Sequence, residues 1–163
     1  MNSTVSLLDN FSVEFREFND ALSSAGAYGA LRYLNKRTPH RFTGVYKYVG
    51  NTLQNIVLYD RYDPTIHMGA DTPLAATYCS LLQKQQALEI NDASEDERVK
   101  GVIETSVVSY CGVSIKDDEG NPFGSLCHFD MNRCQERYSD FPLLEAAAKV
   151  LYNYIHSDKF TNQ

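Results

Sequence analysis

Residues 109–130 read SYCGVSIKDDEGNPFGSLCHFD. An apolar run ending at Lys116 gives way to the polar turn Asp117-Asp118-Glu119-Gly120-Asn121, and a second apolar run opens on Phe123-Gly124. Two strand-like runs joined by a short polar stretch containing glycine spell an antiparallel hairpin. A turn from Asp117 to Asn121 sets Lys116 against Pro122 and fixes an expected register for the pair.

Upstream, Arg41 to Val49 and Leu53 to Asp60 form a second such pair, separated by the tight-turn dipeptide Gly50-Asn51. Phe11, Phe15, Phe18 and Leu22 recur at helical spacing, and a further helical piece carries Ala27, Ala30, Leu31 and Leu34. Ser23, Ser24 and Gly26 stand between them, so the two are either separate helices or one bent one. Residues 61–72 read as a loop. Pro73 suits the first turn of a helix reaching Gln85, with Leu74, Tyr78, Leu81 and Leu82 as its buried stripe. Ala87 to Ile90 is a short strand closed by Asn91-Asp92, and Ser94 with Glu97 has the form of a capping box. Ser139 or Asp140 is placed to cap a last helix bearing Leu144, Ala148, Leu151 and Ile155 on one face. Antiparallel hairpins with helices gathered at the two ends predict an α+β fold.

That order resembles the GAF domain family, and several segments match it in residues. RFTGVYKYVG followed by LQNIVLYDR is similar to its first hairpin, and PLAATYCSLLQKQQALEINDAS to the stretch bordering its pocket. The hairpin 109–130 closes its sheet, and FPLLEAAAKVLYNYI resembles its last helix. Ser114 departs from the proline often found after this valine in the family. The resemblance implies a profilin-like and PAS-like architecture, with a central antiparallel sheet, terminal helices on one face and a ligand pocket on the other. The expected organisation is a single GAF domain over 1–163, its core about 26–155 and a helix about 5–24 as an appendage. The family binds cyclic nucleotides, haem, bilins, amino acids or other small metabolites. The expected role is therefore a stand-alone sensory or regulatory domain binding a small molecule, with the cofactor unknown and no enzyme activity required.

The expected register places Ser109, Cys111, Val113 and Ile115 on one face with Phe123, Ser125, Cys127 and Phe129. Tyr110, Gly112 and Ser114 then share the other, more polar face with Gly124, Leu126, His128 and Asp130, and this face suits the pocket. Tyr110 and His128 become cross-strand neighbours able to orient a polar ligand, or a satisfied polar pair. A one-residue slip exchanges these faces. Arg61 opens the longest loop and either grips a carboxylate or phosphate or pairs with Asp60 or Asp63. By family analogy Tyr78 and Asp92 flank the pocket mouth, Asp92 also being a natural turn former. His67 shares the loop with Arg61 and reads as solvated.

One branch of the family reduces free methionine sulfoxide with thiols, and a thiol-dependent reductase of such oxidised metabolites is the alternative function. Its reactive cysteines lie in loops ahead of the final strands, where none of Cys79, Cys111, Cys127 and Cys134 falls. Cys79 falls in the expected helix, Cys111 and Cys127 in mid-strand, and all three read as buried packing groups. Cys127-His128 is similar to the pair that tethers bilin in phytochromes, but there the pair lies on a helix. A third reading is a dimeric interaction module with a vestigial pocket. The Phe11, Phe15, Phe18 and Leu22 face is either a homodimer seam with the last helix or buries against the domain's own sheet.

With 163 residues, 43% of them hydrophobic and 22% charged, the chain suits one soluble globular domain. A net charge of −6 without a basic cluster argues against nucleic acid as a partner. No signal peptide or membrane span is read, so the expected setting is the cytoplasm. The histidines and cysteines have no metal-ligand spacing, and no paired carboxylates or phosphate-cradling loop suggest a catalytic or metal site.

Overall fold

The computed structural model describes residues 3–135 and 141–161, with side chains over 10–135 and 141–160. Ser139 and Asp140, the expected caps of the last helix, lie outside the described residues. Helix α1 spans Ser3–Asn35 as two helical pieces that meet at a kink at Gly26, whose φ of 71° only glycine adopts without strain. Phe18 and Leu22 before the bend and Ala27, Ala30, Leu31 and Leu34 after it are buried. The half expected as an appendage therefore contributes directly to the core.

Six strands follow: β1 (Phe42–Val49), β2 (Thr52–Asp60), β3 (Thr72–Pro73), β4 (Ala87–Ile90), β5 (Ser109–Lys116) and β6 (Pro122–Asp130). They form one antiparallel sheet in the order β3-β2-β1-β6-β5-β4, so the two expected hairpins meet where β1 pairs with β6. Helix α2 (Phe141–Ile155) buries Leu143, Leu144, Ala147, Ala148 and Leu151, and the short α3 spans Asp158–Thr161.

The sheet carries a hydrophobic cluster on each face. On one face α1 and α2 cover Val45, Val57, Cys111, Val113, Ile115 and Leu126. On the other, Tyr46, Tyr78, Cys79, Leu82, Tyr110 and Cys127 belong to a second cluster. Strand β5 is buried on both sides from Ser109 to Ile115, which explains its unbroken run of apolar and small residues.

Two local expectations fail. Residues 73–85 do not form an α-helix. Thr72 and Pro73 pair with β2, and 3₁₀ turns at Leu74–Ala76 and Tyr78–Gln83 are split by extended Thr77. Long-range bonds override the helical pattern here: the Tyr48 hydroxyl donates to the Cys79 carbonyl at 2.7 Å, and Tyr78 to the Val107 carbonyl at 2.6 Å. Likewise Ser94 is not a helix cap. Asp92 caps the turn Ala93–Glu95, accepting from the Ser94 amide at 3.0 Å and its hydroxyl at 2.6 Å.

The last hairpin pairs Lys116 with Pro122 as the turn demands, but Ile115 then pairs with Gly124, leaving Phe123 as an extra residue. Beyond this bulge the register differs by one from the expected one, with Cys111 opposite His128 and Gly112 opposite Cys127. The bulge is built where β6 passes close to β1, since a Cβ on Gly124 would lie 1.8 Å from the Tyr46 carbonyl oxygen. The consequence is an exchange of faces along β6: Leu126 and His128 turn to the helices, while Ser125, Cys127 and Phe129 join Tyr110.

Candidate functional site

On the face away from the helices lies a cavity of about 110 Å³. Tyr46 on β1, Tyr110 on β5 and Cys127 and Phe129 on β6 provide the sheet side, and Tyr78 and Cys79 come from the 3₁₀ segment above. Tyr110 reaches across the sheet because Gly112 has no side chain: a Cβ there would stand 2.5 Å from the Tyr110 hydroxyl. Gly44 does the same for Tyr46, with a Cβ 2.8 Å from the ring. Tyr78 meets Tyr110 edge-on, centroids 5.6 Å apart.

The polar centre of this wall is Cys79. Its Sγ accepts from Ser125 Oγ at 3.0 Å, lies 3.1 Å from the Tyr110 hydroxyl, and is hydrogen-bonded to Cys127. Burial pushes the Cys79 thiol up, but the bonds from Cys127, Ser125 and Tyr110 outweigh it and hold it below its ordinary value. Cys127 moves well upward, through burial and then through its bond to Cys79, so Cys127 keeps its proton. Burial likewise raises Tyr46 and Tyr110 well above the ordinary phenol value. The tyrosines are therefore neutral donors. Among the described residues, no side chain lining the cavity carries a formal charge.

Of the expected site residues, Tyr78 and Tyr110 line this cavity. Arg61, Asp92 and His128 do not. Arg61 clamps the end of α1, its Nη2 donating to the carbonyls of Asn35 and Thr38 at 2.7 Å and its Nε to Asn35 Oδ1 at 3.0 Å. It pairs with neither Asp60 nor Asp63; Asp60 is held bidentately by Arg41 at 2.8 and 2.9 Å. Those bonds outweigh burial and draw the Asp60 carboxyl below its usual range. Asp92 is spent on its turn, and hydrogen bonding by Ser94 lowers its carboxyl. His67 stacks on Tyr28 with centroids 3.7 Å apart.

His128 is not a neighbour of Tyr110 but lies under the helices, 1% exposed. Thr43 Oγ1 accepts from Asn35 Nδ2 at 2.9 Å and is hydrogen-bonded to His128 Nδ1 at 2.7 Å. The other ring nitrogen, Nε2, is buried with no hydrogen-bond partner. His40 stacks beside it at 6.0 Å. Burial first, then the nearby His40, Arg37 and Arg61, push His128 down to about 3. Burial and Arg61, against Asp130, bring His40 to about 4.

Cys79 and Cys127 are buried members of the second hydrophobic cluster, as expected of packing groups, and both also line this cavity, Cys79 from a 3₁₀ turn instead of a helix and Cys127 through the bulge in β6. The readable signal was the pairing Gly44/Tyr46 and Gly112/Tyr110, each an aromatic ring two residues from a glycine on one strand face. No side-chain cluster suited to a metal ion occurs among the described residues. None of their helices is long and apolar enough to cross a membrane.

No family profile and no curated protein sequence matches the chain. Solved structures do. The GAF domain of the Acinetobacter phosphoenolpyruvate-protein phosphotransferase superposes with a TM-score of 0.71 at 13% identity, covering 94% of this chain and 98% of that one. The free methionine-R-sulfoxide reductase of Neisseria meningitidis, solved with its substrate, gives 0.68 at 13% identity over 99% and 95%. The chromophore-binding domain of Stigmatella aurantiaca phytochrome P1 gives 0.63 at 14% identity, covering 91% of this chain and 60% of that one. At such identities the likeness speaks for architecture alone. The chain is a GAF-fold domain, α+β, with a six-stranded antiparallel sheet, and its structural neighbours include GAF domains, a phytochrome chromophore-binding domain and a reductase.

Proposed function

We propose that this domain is a sensor for a small uncharged molecule held between the sheet and the 78–83 turn. The observation carrying this reading is the chemistry of the cavity: phenol and thiol groups on an aromatic wall, with no charged lining side chain among the described residues. A charged ligand would lose its hydration there without a counter-ion, at a cost of several kcal/mol. A cavity of about 150 Å³ takes a molecule the size of benzene, so this one, at about 110 Å³, suits something smaller. Occupancy would favour one arrangement of the 3₁₀ roof over another, which is the population shift a sensor transmits. Phe18 and Leu22 of α1 are buried in the domain's core and Phe11 and Phe15 pack partly buried against it, so of this stretch only Val13 is an exposed large apolar side chain to offer a second copy. The thiol state of all four cysteines suits a reducing compartment such as the cytoplasm.

A thermal-shift screen of small neutral compounds tests the reading. A true ligand stabilises by mass action, by about 2.7 kcal/mol at 100 times its dissociation constant. The stabilisation should drop in Tyr110→Phe and persist in Arg61→Ala. Hits that depend on Arg61 and ignore Tyr110 would move the site elsewhere. Thiols at the cavity also favour the reductase reading, but methionine sulfoxide is a zwitterion and finds no charged partner in the wall. An assay of its reduction, with Cys79→Ser as control, separates the two.

A further inference from the structure

Two thiols line the cavity, and the Ser125 and Tyr110 hydroxyls both contact one of them, Cys79. Cys79 Sγ accepts a hydrogen bond from Ser125 at 3.0 Å and lies 3.1 Å from the Tyr110 hydroxyl, an arrangement that eases the loss of its proton as it reacts. Cys127, which keeps its proton, lines the same cavity from β6. Cys111, by contrast, packs on the opposite face beneath the helices.

The geometry points to Cys79 as an oxidation site for a small hydroperoxide, with Cys127 as the thiol that resolves it into a disulfide across the cavity. Cys79 sulfur attacks the distal peroxide oxygen and gives up an electron pair as the O–O bond breaks. The departing alkoxide or hydroxide takes the Cys79 proton, leaving an alcohol or water and Cys79–SOH. Cys127 sulfur then attacks the Cys79 sulfur, and the S–O bond breaks. The hydroxide leaves as water with the Cys127 proton, so two thiols and one hydroperoxide yield a disulfide, water and an alcohol or second water. A hydroperoxide is neutral, small and hydrogen-bonding, as this wall requires. The new bond engages the sulfur that Ser125 and Tyr110 both contact and ties the 78–83 turn to β6, so oxidation reshapes the cavity itself.

This inference rests on the proposed function in one respect, that the cavity admits small neutral molecules. The test treats the full chain with hydrogen peroxide and, separately, with methyl methanethiolsulfonate, and maps the cysteines by peptide mass spectrometry without reduction. A Cys79–Cys127 disulfide is expected, forming about tenfold faster than any oxidation of Cys111. In Cys127→Ser, Cys79 should stop at the sulfenic acid, captured as its dimedone adduct. In Ser125→Ala, the rate should fall several-fold. If methyl methanethiolsulfonate labels Cys79 but peroxide produces no Cys79–Cys127 bond, the oxidation site is overturned while the cavity stands. If Cys79 reacts with neither until urea unfolds the chain, both readings fall.

Discussion

Acidification from pH 7 to pH 5 should destabilise this domain through His40 and His128, well before its carboxylates titrate. Both rings are buried and neutral in the fold, with values near 4 and 3, whereas the unfolded chain binds their protons near 6.5. Their contribution is therefore complete above pH 6.5 and is lost as the pH falls toward 4 and then 3. At pH 5 the unfolded state holds almost a full proton on each ring and the folded state almost none. At about 1.36 kcal/mol per pH interval, an interval of about 1.5 removes about 2 kcal/mol per ring and about 4 for the pair. That is a large part of an ordinary domain's stability of about 5–15 kcal/mol. The cause is geometric: Thr43 already satisfies His128 Nδ1, and Arg37 and Arg61 face the ring, with Asp130 offsetting the field only at His40. Urea melts at pH 7, 6 and 5 measure the slope, which should approach two protons in the native protein and one in His128→Gln. Equal stability at pH 7 and pH 5, or an imidazole resonance of His128 titrating near 6.5, would refute the burial argument.

Gly112→Ala should drive the Tyr110 ring off the sheet into the cavity, since the new Cβ meets its hydroxyl at 2.5 Å; denaturant melts should show a loss of about 1–3 kcal/mol. Arg61→Ala leaves the Asn35 and Thr38 carbonyls without their guanidinium donor and should cost about 1–3 kcal/mol in the same melts. Leu144→Ala opens a hole between α2 and the sheet, with an expected loss of about 2–5 kcal/mol by chemical denaturation.

The legible parts of the fold were those set by neighbours in the chain. Gly50-Asn51 with the flanking Tyr- and Val-rich runs was enough for the β1–β2 hairpin, which is observed. Asp117 to Asn121 was enough for the second, with Lys116 opposite Pro122 as expected. Helical spacing found the buried faces of α1 and α2, and Gly26 marked the bend. The site was legible only in part. Spacing and family analogy point to Tyr78 and Tyr110, which line the cavity, whereas Arg61 neither lines it nor pairs with Asp60 or Asp63 but caps α1, and Cys79 is buried as expected while also lining the cavity.

What the chain alone determined is therefore the set of strands, turns and amphipathic helices, because alternation, turn chemistry and helical period act over a few residues. Which side of β6 meets the cavity was decided only in three dimensions. The bulge at Phe123 arises where Gly124 slides against the Tyr46 carbonyl of another strand, and it turns Cys127 inward and His128 away. The same holds for residues 73–85, whose helical pattern yields to bonds from Tyr48 and to Val107. A hydrogen bond to a residue far along the chain leaves no periodic trace, so these two choices appear only when the elements pack.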